Sequence, residues 1–305
     1  MSGHALVVGE ALVDVVVRTD GAVQSHPGGS PANVALGLGR LGRDVELLAY
    51  LGDDENGSVV REHLAASGVS LAQGSLDAPG TSVATARLDE TGAASYEFDL
   101  TWDISAKAAP RPAPIVVHTG SIAAVLSPGA AAVREIVEAN RPTATVTYDP
   151  NARPTLMGDP AEARALVEQM IALADVVKVS DEDVEWLCGG DVDAAAREWA
   201  SSGPAFVVVT RGGEGATAFL ADGRELSIAA PKVTVADTVG AGDSFMGGLI
   251  DGLWGAGLLG AERREALRAI DDATLTAILE RCARIAAITV SRPGANPPGS
   301  AELGE

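Results

Sequence analysis

Nine residues, Asp237-Thr238-Val239-Gly240-Ala241-Gly242-Asp243-Ser244-Phe245, place a carboxylate directly after a turn that is almost bare of side chains. Phe245, Leu249 and Leu253 follow at helical spacing, with Met246, Ile250 and Trp254 beside them. Val233 and Val235 alternate ahead of the turn as in a strand. The spacing therefore predicts a strand-to-helix turn at Gly240-Ala241-Gly242, with Asp243 at the helix N-terminus. Glycines there let backbone N–H groups converge on one anion, with the positive end of the helix dipole behind them. The dipole also favours a charged carboxylate at Asp243 by roughly 0.3–1 kcal/mol. Such a carboxylate beside an anion hole suits removal of a hydroxyl proton while the hole holds a transferring phosphoryl group. An aspartate at this position equally suits capping the helix.

A second constellation is Pro27-Gly28-Gly29-Ser30-Pro31-Ala32-Asn33: two glycines, a helix start, then an amide. Glycines admit a ligand close to the backbone, and Asn33 in the first turn offers both a donor and an acceptor. Together with Asp14, which can accept from neighbouring hydroxyls, this reads as a site for a neutral polyol. The structural alternative for Asp14 is an exposed turn aspartate.

The elements that must position these residues come from the rest of the pattern. A chain of 305 residues with 47% hydrophobic residues can bury one large core, with room for a small appendage. Short apolar runs at Ala5–Gly9, Val45–Leu51, Ile115–His118, Ala144–Asp149, Val176–Val179 and Ala205–Thr210 read as buried strands. Helical patterns at Pro31–Leu41, Asn56–Ser67, Gly129–Asn140, Pro160–Leu173 and Val192–Ser201 lie between them. Ser30-Pro31, Ser127-Pro128 and Asp159-Pro160 each put a proline at a helix start. Strand–helix alternation predicts a mostly parallel sheet covered by helices on both faces, a three-layer α/β/α sandwich. Thr81–Leu88 and Ala94–Leu100, joined by the turn-like D-E-T-G, break that rhythm, as does Ala11–Arg18. Tyr96, Phe98 and Leu100 alternate with Ser95, Glu97 and Asp99, which predicts a strand with one covered face. These segments, about 11–27 and 81–103, are expected to form a small antiparallel sheet that stands off the main layer as a lid. Extension of the main sheet's edge is the alternative.

The formal net charge is −20, which argues against nucleic acid and anionic membrane as partners, since both need basic patches. Cys188 and Cys282 are too few and too far apart for a disulfide framework or a four-thiolate zinc site. The N-terminus reads as a first strand and not a signal peptide. The apolar stretch from Phe245 to Ala261 is interrupted by Asp251 and several glycines, so no membrane span is expected. The expected location is the cytoplasm. Gly37-Leu38-Gly39-Arg40-Leu41-Gly42 matches G-x-G-x-x-G, yet its glycines fall late in a helical pattern, where the dinucleotide fold needs them at a helix start. Gly42 then reads as a helix C-terminal glycine, and Gly37 and Gly39 as close-packing positions. None of Lys107, Lys178 and Lys232 follows a glycine, which leaves no Walker-type phosphate loop.

P-G-G-S-P-A-N-V-A-L-G-L-G-R-L-G near the start and D-T-V-G-A-G-D-S-F-M-G-G near the end resemble the paired signatures of the ribokinase-like (PfkB) carbohydrate kinases. The resemblance spans essentially the whole chain, through G-E-A-L-V-D at 9–14, G-D-D-E-N-G at 52–57, D-P-N-A-R at 149–153, K-V-S-D-E-D at 178–183 and T-R-G-G-E-G at 210–215. It is most like the fructokinase branch. It implies a ribokinase-like fold and phosphoryl transfer from ATP with Mg2+ to a sugar hydroxyl, fructose giving fructose 6-phosphate. Ketodeoxygluconate, ribose or a nucleoside is the alternative acceptor. Asp243 would be the base, Gly240, Ala241 and Gly242 the anion hole, and Arg153 a charge near the transferring phosphate. Asp14, Gly28, Gly29 and Asn33 would hold the sugar. Ser180, Thr210, Gly212 and Gly215 would border the nucleotide, and Asn296 would lie near adenine. Ser180 and Asp183 stand where the family has asparagine and glutamate in an N-x-x-E motif tied to magnesium; each is a shorter or weaker ligand. Asp237 and Val239 match the segment where many members hold a monovalent cation such as K+. The resemblance also suggests a homodimer through the lid. A nicotinamide oxidoreductase and a non-catalytic sensor of sugar or nucleotide are the rival classes.

Overall fold

Ala5 and Val7 of strand β1 (Ala5–Val8) join one buried apolar cluster, and Leu6 and Val8 join another. A strand buried on both faces belongs in the middle of a layered structure. The computed structural model describes residues 3–88, 94–104 and 113–304. Thirteen strands, numbered in chain order, form two sheets among them. In the nine-stranded sheet, β4 (Val45–Leu48) and then β5 (Val69–Leu71) lie on one side of β1. On the other side, in order, are β8 (Val116–Gly120), β9 (Thr145–Asp149), β10 (Val176–Ser180), β11 (Phe206–Thr210), β12 (Ala216–Leu220) and β13 (Glu225–Ile228). Every pairing from β5 to β11 is parallel, and β12 and β13 close the edge antiparallel. The chain leaves β1 toward β4 and returns to its other side at β8. Ligand crevices of open α/β sheets form at such a switch, outside the carboxyl ends of the strands.

Helices Ser30–Arg40, Ala241–Gly255 and Asp272–Val290 bury their apolar faces in the first cluster. Gly129–Asn140, Pro160–Leu173, Asp181–Cys188 and Val192–Ser201 cover the opposite face of the sheet. The expected sandwich of three layers is therefore present. Gly39 packs on the chain after helix Glu55–Ala66: a Cβ there would lie 2.1 Å from the carbonyl oxygen of Ser67. Gly37 has room for a side chain, its nearest neighbour being Pro297 at 3.8 Å, so close packing explains only one of the two glycines.

The second sheet has the order β3 (Val23–Gly28), β2 (Leu12–Val17), β6 (Val83–Leu88) and β7 (Ala94–Asp99). Its two outer pairings are antiparallel and the central one, β2 with β6, is parallel. Ser95, Glu97 and Asp99 are exposed while Phe98 is half-buried, as the alternation predicts. The D-E-T-G turn lies outside the described residues. The entry to β6 is anchored by Asp54, which caps helix Glu55–Ala66: Oδ1 accepts from Gly57 N and Thr81 Oγ1, and Oδ2 from Thr81 N, each at 2.7 Å. Cys188 and Cys282 are free thiols. Among the described residues no helix is long and apolar enough to cross a membrane.

Candidate active site

Helix Ala241–Gly255 begins after Gly240, whose φ of 75° is left-handed and whose Cβ would lie 2.6 Å from that of Ala295. A side chain is thus excluded there twice over, by conformation and by space. The strand predicted ahead of the turn is absent. Residues 231–236 are irregular, with Val233 and Val235 43% and 58% exposed. The N–H groups of Ala236 and Asp237 go to the carbonyl of Val290, so this segment has no ladder to join. The turn itself still stands at a helix N-terminus, with Asp243 in the first turn.

Asp243 is 7% exposed, and its carboxylate accepts from three side chains. Ser30 Oγ donates to Oδ1 at 2.7 Å, Asn151 Nδ2 to Oδ1 at 3.3 Å, and Asn33 Nδ2 to Oδ2 at 2.8 Å. Ser30 and Asn33 come from the helix that Gly28-Gly29 introduces, and Asn151 from the loop after β9. Asn151 has a φ of 36°, unusual for a residue with a side chain, and its own Oδ1 takes Arg153 Nη1 at 2.7 Å. That contact turns the amide nitrogen toward Asp243. Arg153 also bonds the carbonyls of Asn151 and Ala152, so it clamps this loop while remaining largely exposed.

On the side of the small sheet, Asp14 of β2 packs against Gly28: a Cβ there would meet Asp14 Oδ2 at 2.0 Å. Burial raises the Asp14 carboxyl above its ordinary range, with Arg153 and His26 opposing and Asp243 adding to the rise. Gly29 has a φ of 104°, and its Cβ would stand 2.4 Å from the carbonyl oxygen of Glu10. Glu10, at the end of β1, is buried, and its Oε2 has no partner among the described residues. Burial pushes this carboxyl up to about 7, against a hydrogen bond from Ser121 and the charge of Arg153.

The third wall lies at the ends of β9, β10 and β11. Lys178 Nζ and Asp149 Oδ2 form a buried ion pair at 2.8 Å. Burial raises the Asp149 carboxyl above its ordinary range, against the charge and hydrogen bond of Lys178. Ser180 and Asp183 form the capping box of helix Asp181–Cys188. Asp183 Oδ2 accepts from Ser180 N at 3.3 Å, and its Oδ1 from Ala152 N at 2.9 Å, which ties this helix to the loop of Asn151 and Arg153. Thr210 is paired with Ser180 across β10 and β11, and Gly212 and Gly215 follow in the turn to β12. Asp237 accepts from Val239 N and Gly294 N, so both its oxygens have donors. Asn296 is held by Arg40 at the far end of the helix that carries Ser30 and Asn33, beside a cavity of ≈ 490 Å³. Ala295, its neighbour in the chain, packs against Gly240 of the glycine turn. Among the described residues no group of three or more acids, histidines or cysteines could hold a metal ion.

Hydrogen bonds, close packing and charge proximity thus bring Asp243 and its Gly240 to Gly242 turn, Asn33, Asp14 and the Gly28-Gly29 turn together at the switch point. Sequence reading missed Ser30, Asn151, Glu10 and Lys178 as contributors. Each had a trace: Ser30 and Asn151 sit inside quoted motifs, Glu10 precedes Asp14 at the end of β1, and Lys178 interrupts a valine run in a buried strand.

A profile described as pfkB family carbohydrate kinase matches residues 3–302. The fructokinase of Klebsiella pneumoniae is 34% identical over 267 residues, 85% of this chain and 87% of that protein. The solved fructokinase from Vibrio cholerae O395, in fructose, ADP and calcium ion bound form, is 26% identical with a TM-score of 0.79, covering 99% of this chain and 98% of that one. The aminoimidazole riboside kinase from Salmonella enterica, complexed with aminoimidazole riboside and an ATP analog, is 27% identical with a TM-score of 0.74 and covers 96% and 95%.

Proposed function

The chain belongs to the pfkB family of carbohydrate kinases, and on that premise we propose that it is an ATP-dependent fructokinase, transferring the γ-phosphoryl group of ATP to the 6-hydroxyl of fructose. The observation that carries this reading is the Asp243 carboxylate, held by three donors at a glycine-started helix N-terminus and close enough to Asp14 to raise its carboxyl. Asp243 accepts the proton of the sugar hydroxyl as the hydroxyl oxygen bonds to phosphorus. The bond from phosphorus to the bridging oxygen breaks, and its electron pair leaves with ADP. Backbone N–H groups of Gly240, Ala241 and Gly242 take the charge on the phosphoryl oxygens, and the Arg153 guanidinium offsets it from the neighbouring loop. Ser30, Asn33 and Asn151 fix which way the base points. Asp14, Gly28, Gly29 and the free side of Asn33 receive the sugar hydroxyls.

Ser180, Thr210, Gly212 and Gly215 border the nucleotide in this reading, and Asn296, whose side chain Arg40 engages and whose neighbour Ala295 packs on Gly240, lies near the adenine. A Mg2+ ion here would be held mainly by phosphate oxygens and water, with Asp183, whose two oxygens already accept backbone N–H groups, as the acid on that side. Such an ion would neutralise phosphate charge. A K+ ion near Asp237 and Val239 is part of the same proposal and would rely on carbonyl oxygens, since both carboxylate oxygens of Asp237 already have donors. The small sheet acts as a lid that excludes water once sugar is bound. Its edge strands β3 and β7 lack partners among the described residues, and Val23 on β3 is 60% exposed, which supports pairing with a second copy. The reaction belongs to the cytoplasm, where ATP is supplied.

A coupled ADP-release assay with fructose, ribose, 2-keto-3-deoxygluconate and adenosine tests the reading. Fructose is expected to give the highest kcat/KM. Preference for adenosine would move the acceptor to the nucleoside class of the riboside kinase, and no ADP release with any of them would overturn the kinase assignment.

A further inference from the structure

Lys178 lies between two valines on β10 with 3% of its surface exposed. Burial works against its charge, but the carboxylates of Asp149, Asp183 and Asp243 outweigh burial, and the ammonium holds its proton more tightly than an ordinary lysine. One of its three N–H donors goes to Asp149 Oδ2, and no described residue takes the other two. Asp149 Oδ1 is likewise without a partner. A pair that served only to neutralise itself would not account for a further feature: Nζ stands 2.8 Å from where a Cβ on Gly242 would be. Gly242 lies within the helix and has no positive φ, so its backbone does not require glycine. A Cβ there would instead push the ammonium from its place beside the turn. Arg153, the other cation of the site, is largely exposed and its Nη1 is committed to its own loop.

We propose that Lys178 is a fixed positive charge behind the glycine turn, and that its two spare N–H donors engage the transferring phosphoryl group through the gap Gly242 leaves. This rests on the kinase reading above and names a residue that reading did not use. Phosphoryl oxygens carry negative charge throughout the transfer, and a full charge set in a buried site acts on them far more strongly than it would in water. Lys178 keeps its proton in every step; the hydroxyl proton goes to Asp243.

The double variant K178M/D149L separates this role from a structural one, because replacing a buried ion pair by apolar side chains is often neutral or stabilising. It is expected to melt cooperatively and to keep the protection ADP gives against melting. It is also expected to lose the extra protection ATP gives over ADP, and to show kcat reduced about 100- to 1000-fold with the fructose KM little changed, the cost of removing one strong donor from an anion hole. A double variant that folds and turns over like the parent overturns the proposal. Should it not fold, D149N and K178Q are compared. A pair with only a structural role gives equal losses of kcat, which overturns the proposal, whereas the proposal expects K178Q to lose at least about tenfold more. Failure of the kinase reading would show separately, as absence of ADP release by the unaltered protein, and the comparison of ATP with ADP in melting would still report on Lys178.

Discussion

At the scale of single residues, the chemistry rests on a carboxylate whose two oxygens are already oriented. Asp243→Asn keeps the shape but removes the proton acceptor, and it sets an NH2 group against Ser30, Asn33 or Asn151, all of which donate in the native site. The expected result is a kcat lower by about 10²- to 10⁴-fold, the range of a general base, with fructose binding largely retained. Coupled turnover and sugar-dependent melting would read the two effects apart, and unchanged turnover would remove Asp243 as the base. Glu10 gives a different expectation. Its folded value of about 7 stands above the ordinary 4.5, so between those values the folded chain holds a proton the unfolded chain has released. The associated stability is fully present below about 4.5 and is lost as pH rises through about 7. At about 1.4 kcal/mol per pH unit this is on the order of 3 kcal/mol. Glu10→Gln keeps the neutral form at all pH, so its stability relative to the parent should rise from pH 5 to pH 8 in urea melts. Parallel curves for the two proteins would assign the slope to another group, Asp14 being the first to examine.

At the scale of elements, what could be read in advance was what periodicity and punctuation encode. The helices opened by Ser30-Pro31 and Asp159-Pro160 stand where the prolines put them, and the parallel strands of the main sheet other than the three-residue β5 were legible as apolar runs. The strand expected at Val233 and Val235 did not form, because alternation is a demand for a partner edge, and the segment is tied down just beyond them, where Ala236 and Asp237 donate to the Val290 carbonyl. Asn151 and Glu10 were not legible as site residues, since only the parallel crossovers around β1 bring the ends of β1 and β9 near the helix that begins at Ala241. The G-D-D-E-N-G segment matched the family pattern without a role; its role is to anchor β6 through Asp54 and Thr81. Asp54→Ala should therefore act on two elements at once. Loss of the cap is expected to cost about 0.5–2 kcal/mol in a urea melt, and loosening of the proposed lid to raise the fructose KM more than it lowers kcat. A stability loss with an unchanged fructose KM would confine Asp54 to capping.

At the scale of the whole molecule, a net charge of −20 surrounds a site that must admit an anion. The crevice answers this locally, with the dipole and N–H groups at Gly240 to Gly242, the buried Lys178 and the Arg153 loop. Those groups act at contact distance, whereas the surface field acts on the approach. The screening length is about 30 Å at 0.01 M ionic strength and about 8 Å at 0.15 M. At low salt the whole molecule repels Mg-bound ATP, which is still anionic; at 0.15 M only nearby groups are felt. The KM for ATP is therefore expected to fall as ionic strength rises across that interval, the opposite of a site that recruits its nucleotide with a basic surface. Fructose is uncharged, and its KM should stay level over the same range. The measurement needs K+ held constant and choline chloride added as the screening salt, so that a cation bound near Asp237 does not enter the result. A KM for ATP that climbs with salt would mean that the cations of the crevice govern the approach as well as the contact, and that the acidic surface faces away from the nucleotide's path.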